Sequence, residues 1–490
     1  MRKLFILYIP VYIPVVLLAT SCTKNIQDLN NNTKAAITVP AASIFLAGEK
    51  NLCDNITTPN TGLAPFRCFA QTWTETTYTD EARYDITTYD SPDNWWAYLY
   101  GAGTSTGSGV LSNFYNAKAA FPLSAGSPAE INNDLIISDI LEVYSFYMLV
   151  ATYGNIPYTQ ADNRTIPFPK YDDQKTVFYD LFTRLDSCIA DINLGAPAMG
   201  ASDQIYQGNA AEWKKFAATL ELKLAMMIAD VDPSTAGKKV QSALTAGIFT
   251  SNADNALFTY GSSPSTDANP IYQAVIISGR EDNCPDNLLL QTMVGWTDPR
   301  LPLYVTKAAD STYKGGTAGN TNSYGLVSGF SDQLIAPTFP GDFLDYPETE
   351  FLLAEAAERG FAVPGTAAQY YDSAITASIE FWGGTAAQAN TYLAQPAVAY
   401  STATGNYKQK IGYQKWIHLW NRGWDAWTEV RRLGYPNINA ISPPAGAQGL
   451  MPIRFWYPLK EQTANSVNYA AAVAALGGPD NVTTKLFWMP

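Results

Sequence analysis

Histidine occurs once, at His418. One imidazole excludes zinc sites built from several histidines, and any serine–histidine–aspartate triad would have to use it. Basic residues are also scarce: 31 Lys and Arg stand against 44 Asp and Glu, a formal net charge of −13. A surface of that sign repels phosphate backbones and argues against nucleic acid as a partner. Charged residues of both signs make up only 15% of the chain, below the ~25% of an ordinary soluble domain. Cysteines number five and none has CxxC spacing, which argues against a redox motif or a zinc ribbon. What the 490 residues hold in quantity is aromatic: 13% of the chain, with 12 Trp and 30 Tyr. That is far too much apolar surface for a disordered chain.

The N-terminus sets the compartment. Arg2 and Lys3 precede an apolar run from Leu4 to Ala19, interrupted by Pro10 and Pro14. That run is short for a bilayer span of ~20 residues. Leu18-Ala19-Thr20-Ser21-Cys22 follows. Small residues directly before a cysteine read as a bacterial lipobox, with residues 1–21 a lipoprotein signal peptide and Cys22 the lipidated first residue of the mature chain. Residues 22–39 are polar and Asn-rich (Asn25, Asn30, Asn31, Asn32) and read as a flexible tether. No later apolar run is long and unbroken enough for a span, so the expectation is a lipid-anchored protein with one folded unit over 40–490. In an exported protein Cys53, Cys68, Cys188 and Cys284 can oxidise, and Cys53–Cys68 would close a short loop. A structural bridge and buried thiols both remain open, because connectivity is not deducible from sequence.

Helical periodicity dominates the unit. In Gln174–Ile189, Val177, Leu181, Leu185 and Cys188 share a face. In Ala210–Ala229, Trp213, Phe216, Ala217, Leu220, Leu224 and Met227 recur at spacings of three and four. Tyr346–Arg359 and Ala367–Trp382 form a pair separated by Gly360 and Pro364, which are stop and start signals. Helix pairs of this length stack as tetratricopeptide repeats do, although no 34-residue repeat is visible. The periodicity fails in two loop-rich zones, approximately 56–92 and 260–343. Long irregular stretches inside a compact protein are more often functional than passive.

Enzyme signatures are weak. Gly101-Ala102-Gly103-Thr104-Ser105-Thr106-Gly107 lacks the lysine of a phosphate-binding loop. A paired-carboxylate glycosidase stays open from spacing alone, since such carboxylates meet in space and not in sequence. The segment from Gln71 to Tyr84 is more telling, because Trp73, Tyr78 and Tyr84 alternate with amide, carboxylate and guanidinium groups. Flat apolar faces stack on sugar rings or peptide side chains while the polar neighbours bind hydroxyls or amides.

These residues belong to a wider pattern. It includes the lipobox followed by Thr23-Lys24-Asn25-Ile26-Gln27-Asp28-Leu29-Asn30, the Trp73–Tyr84 segment, and Tyr153-Gly154-Asn155-Ile156-Pro157-Tyr158. Asp298-Pro299-Arg300-Leu301, Gly423-Trp424-Asp425-Ala426-Trp427, Arg431-Arg432-Leu433-Gly434-Tyr435-Pro436 and Pro452-Ile453-Arg454-Phe455-Trp456-Tyr457-Pro458 continue it. In order and coverage the chain resembles the SusD/RagB-like nutrient-binding outer-membrane lipoproteins of Bacteroidota, in the SusD-like branch. The resemblance implies a mainly α fold, with tetratricopeptide-like helix pairs forming a scaffold under a loop-rich ligand region. It implies capture of glycans or oligosaccharides at the outer face of the outer membrane, and delivery to a SusC-like TonB-dependent transporter. It implies capture without catalysis; no cofactor and no metal-ligating site residue are expected, and a bound structural metal stays open. Oligopeptide binding is the alternative within the family, and a surface glycoside hydrolase the alternative outside it. His418 and the Gly423–Pro436 motifs read as scaffold.

The expected ligand residues are Trp73, Tyr78, Arg83 and Tyr84 from the first loop zone, with Trp296, Tyr304 and Tyr324 from the second. They lie in or beside stretches without helical periodicity, which commits them less to the core than Trp213 or Trp382.

Overall fold

The computed structural model describes residues 39–101, 109–161, 163, 165–262, 267–439, 441 and 449–490. The leader, Cys22, the tether up to residue 38 and most of the Gly101–Gly107 stretch lie outside the described residues. Pro40–Pro490 form one compact unit. Its fold is mainly α: among the described residues, fourteen helices have eight residues or more. They are α1 (Ala41–Thr57), α2 (Ser91–Tyr100), α3 (Val110–Ala120), α4 (Pro128–Tyr153), α5 (Gln174–Asp191), α6 (Ala210–Met227) and α7 (Pro233–Ala246), followed by α8 (Asn287–Gly295), α9 (Tyr346–Glu358), α10 (Ala367–Phe381), α11 (Ala386–Leu393), α12 (Tyr407–His418), α13 (Gly423–Leu433) and α14 (Ser466–Ala475).

Side-chain caps start many of them. Asp173 accepts from the Thr176 amide at α5, Asn209 from Ala211 and Glu212 at α6, and Asp345 from Glu348 at α9. At α10, Thr366 and Gln369 cap each other reciprocally. Gly360, at φ +74, reverses the chain after α9, in the left-handed region that glycine enters without steric cost. Consecutive helices then bury one another's apolar stripes: α4 on α5, α6 on α7, α9 on α10, α12 on α13. The stripe residues Val177, Leu181, Leu185, Trp213, Phe216 and Leu220 are all buried. By length and composition α4 could cross a membrane, but its most apolar stretch is 89% buried inside the fold. It is a core helix.

Charge is buried together with this apolar surface. Glu348, on α9, lies 3.1 Å from Lys223 of α6, 3.3 Å from Lys415 of α12 and 2.7 Å from Arg422. His418 is buried beside them, with Nε2 2.8 Å from Asp345 and Nδ1 3.0 Å from the Ser378 hydroxyl. It is a structural residue. Cys53, Cys68, Cys188 and Cys284 are all free and buried, so the Cys53–Cys68 bridge does not form. Each sits as a small apolar side chain in packed surroundings.

Among the described residues, four short strands make two antiparallel pairs. β2 (Ala256–Phe258) pairs with β4 (Gly341–Leu344), while β1 (Trp73–Glu75) pairs with β3 (Asn283–Pro285) in the register Trp73↔Pro285, Thr74↔Cys284, Glu75↔Asn283. The β1–β3 clip joins the two irregular zones, which lie some two hundred residues apart in sequence. Backbone bonds from Thr76 to Asp282 O (2.8 Å) and from Asp286 to Thr72 O (3.0 Å) extend it at both ends.

Candidate functional site

A cleft of about 700 Å³ opens where the clip brings the two zones together. One wall is the 58–63 loop that leaves α1. A second is the end of β1 and the segment after it, with Glu75 on the strand and Tyr78, Glu81 and Tyr89 beyond it. The third is a π-helical turn, Gln273–Ile277, with Arg280 and Asp282 after it. Single π turns are rare and recur at functional sites. Tyr78 and Tyr89 are 52% and 44% exposed. They offer ring faces to a ligand.

The cations of the cleft are already paired. Lys50 Nζ lies 2.6 Å from Asp54, and Arg280 Nε lies 2.5 Å from Asp282. Among the described residues, Glu75 and Glu81 have no cationic partner. Glu75 accepts from the Thr61 hydroxyl (2.7 Å) and the Ala82 amide (2.9 Å), and the buried Glu81 carboxyl shares a side-chain hydrogen bond with it. Asn283 donates from Nδ2 to Pro59 O (3.0 Å) and leaves its own buried Oδ1 without a hydrogen-bond partner. Burial pushes the Glu75 carboxyl up to about 7, against the bonds it accepts. Burial, reinforced by Glu75 beside it, pushes Glu81 up to about 9. The cleft therefore presents two aromatic faces and buried acceptor oxygens, and among the described residues that line it each cation has a carboxylate beside it. No group of three or more His, Cys, Asp or Glu among the described residues is disposed to hold a metal ion.

Only one of the seven expected residues, Tyr78, lines this cleft. Trp296 is half-buried, sits edge-to-face on Tyr413 at 5.5 Å, and lines a different cleft of about 350 Å³ with Lys410 and Gln409. Arg83 pairs with Asp80 at 3.5 Å and donates to Thr79 O, and half-buried Tyr324 occupies a 3-10 turn; neither lines either cleft. Three expectations are overturned, because Trp73, Tyr84 and Tyr304 are core residues with 2%, 5% and 0% exposure. Trp73 lies between the Phe330 ring at 4.2 Å and the Arg67 guanidinium at 4.5 Å. Tyr84 packs edge-on against Phe69, with its hydroxyl accepting from Gln71. Tyr304 stacks on Trp420 at 4.5 Å and donates to Ile417 O. In this fold irregular backbone does not mean exposed side chains, because the loops are themselves covered. Residues absent from the expectation, chiefly Glu75, Glu81, Tyr89 and the π turn, form much of the lining. Glu75 and Glu81 lie inside the segment singled out from the sequence, but no spacing separates them from other surface carboxylates.

Comparison with known proteins agrees with this architecture. A chitin-binding SusD homolog from Flavobacterium johnsoniae is 25% identical, with a TM-score of 0.76 over 91% of this chain and 98% of its own. A structure described as a chitin-binding protein is 27% identical, with a TM-score of 0.75 over 92% and 100%. A SusD homolog from Bacteroides uniformis is 26% identical, with a TM-score of 0.74 over the same shares. No curated protein sequence matches the chain. The SusD-like family model, described as starch-binding and associating with the outer membrane, matches residues 31–458, and the chain belongs to that family.

Proposed function

We propose that this protein captures oligosaccharides in the cleft between the 58–63 loop, the Glu75–Tyr89 segment and the π turn, and passes them on without altering them. The observation that carries the reading is the cleft itself: two exposed tyrosines beside buried acceptors, in a space of about 700 Å³ held open by the β1–β3 clip. Ring faces stack on the apolar faces of sugars, and acceptor oxygens take their hydroxyl or amide hydrogens. The chitin-binding descriptions of two similar structures make N-acetylglucosamine oligomers the first ligands to test, with starch oligomers second.

The lipobox at Leu18–Cys22 supports anchoring to the outer membrane with the cleft facing outward. A tethered binder beside a barrel in the same membrane works at high effective concentration, which suits delivery to a SusC-like TonB-dependent transporter. Titration calorimetry with N-acetylchitohexaose, maltoheptaose and a mixed oligopeptide pool tests the ligand class. A saccharide should bind, and Tyr78→Ala should weaken it by ~1–3 kcal/mol without lowering the melting temperature. Binding of peptides alone would overturn the reading, as would shortening of a labelled oligosaccharide by the purified protein. Cys22→Ala should release the protein from the outer-membrane fraction, and wild type should co-purify with a barrel in mild detergent.

A further inference from the structure

We infer that Glu75 and Glu81 form a charge filter that admits uncharged saccharides to the cleft and rejects those bearing carboxylate or sulfate groups. The inference rests on the proposed reading of this cleft as the saccharide site. Its ground is the accounting of charge around the pair. Lys50 is held by Asp54 and Arg280 by Asp282. Arg83 is held by Asp80, and the buried Arg67 spends its donors on Asn421, Thr58 and Thr57 carbonyls. The other titratable groups that face the pair are the Asp80 carboxyl, the Tyr89 hydroxyl and the Cys68 thiol. The two cations in the cleft lining, Lys50 and Arg280, are each offset by an adjacent carboxylate, so the lining carries no net positive charge to draw in an anionic sugar.

Glu81 is fully buried and shares a side-chain hydrogen bond with Glu75, while Asn283 leaves a buried acceptor oxygen unpartnered in the same lining. An unmet acceptor costs free energy until a donor reaches it. Hydroxyl and amide N–H groups of a neutral sugar are such donors, whereas a carboxylate or sulfate brings only further acceptors. Specificity of this kind comes from a repulsive element built against the wrong ligand. The field of a partly buried carboxylate is also poorly screened, so it reaches an acid seated nearby.

The strength of the filter depends on pH. With Glu75 raised to about 7 and Glu81 to about 9, both carboxyls hold protons at pH 5.5 and at least one is ionised by pH 8.5. Repulsion of an acidic ligand therefore grows as pH rises, and a neutral ligand feels far less of it.

The test compares N-acetylchitohexaose and maltoheptaose with their carboxymethylated forms, by calorimetry at pH 5.5 and pH 8.5. Wild type should prefer the uncharged form about tenfold or more at pH 8.5 and about threefold or less at pH 5.5. Glu75→Gln/Glu81→Gln keeps volume and acceptor oxygens but removes the charge, and should show a small, pH-independent preference. A preference that is the same in wild type and variant overturns the filter while leaving the cleft as the saccharide site. Failure of both uncharged oligomers to bind at either pH removes the saccharide reading and the filter with it. Glu75→Gln alone serves if the double variant does not fold, because Glu75 is the member of the pair that ionises between the two pH values. Thermal melts without ligand supply an independent arm: the glutamine variant should gain stability over wild type at pH 8.5 more than at pH 5.5. Equal gains at both pH values would mean that the pair holds no extra proton, and would overturn the inference.

Discussion

At the scale of single residues, Trp73 and Tyr78 are separated by five positions and have opposite fates. Trp73 lies on β1 and packs on Phe330, which itself lines the cleft, so the tryptophan supports the cleft wall from behind. Tyr78 stands past the end of the strand and faces the opening. Trp73→Ala removes a fully enclosed side chain and should cost ~3–5 kcal/mol of stability, read from denaturant unfolding. Saccharide affinity should fall as well, through the displaced Phe330. A variant that melts like wild type and loses only affinity would place Trp73 on the ligand face after all. No local pattern in the Gln71–Tyr84 segment marks which aromatic turns inward. The difference arises from the pairing of Trp73 with Pro285 across the clip, and that partner lies far away in sequence.

At the scale of elements, the helices were legible and the clip was not. Stripes at spacings of three and four and the Gly360–Pro364 break place α5, α6, α9 and α10 to within a residue or two, since those signals are local. The loop zones were legible as zones. Their mutual contact depends on β1 and β3, strands of three residues each, too short to show an alternating pattern. One scaffold motif reaches the cleft in the same non-local way. Gly423 opens α13 against the short helix Phe66–Phe69, and a Cβ there would lie 2.7 Å from the Arg67 amide nitrogen and 3.2 Å from its Cα. Arg67 in turn holds Thr57 O and Thr58 O at the root of the 58–63 loop, at 3.1 and 2.6 Å. Gly423→Ala should therefore push Arg67 outward. Such overpacking costs ~1–3 kcal/mol. It should also loosen saccharide binding at a site the substituted residue does not touch. Thermal melts and calorimetry on the one variant read both effects; an unshifted melting temperature would show that α13 simply moves away.

At the scale of the whole molecule, two groups of buried carboxyls respond to pH in opposite directions. Burial alone would raise Glu348, but Lys223, Arg422 and Lys415 around it outweigh burial and hold it well below the usual carboxylate range. A carboxyl depressed in the folded state stabilises above its unfolded value of ~4.3, and that stabilisation is lost as pH falls below it. Glu75 and Glu81 are raised instead, as are Asp134, Glu221 and Glu350, each to about 7. A raised carboxyl holds its proton more tightly when folded, so stability falls as pH climbs from the unfolded value through the folded one. Stability should therefore peak at mildly acidic pH, decline on the acid side through the Glu348 network and decline gradually on the alkaline side through the raised carboxyls. The two limbs separate by mutation. Glu75→Gln/Glu81→Gln should flatten part of the alkaline limb and leave the acid limb in place. Glu348→Gln leaves Lys223 and Lys415 buried with less compensation, and should cost ~3–5 kcal/mol near neutral pH. Its deficit against wild type should shrink as pH falls below ~4, because the unfolded wild-type chain then takes up a proton at Glu348 that the folded chain does not, which lowers wild-type stability alone. Denaturant unfolding of both proteins from pH 3.5 to 8 measures this, and a deficit that stays constant across that range would show that the Glu348 charge contributes nothing to holding α6, α9 and α12 together.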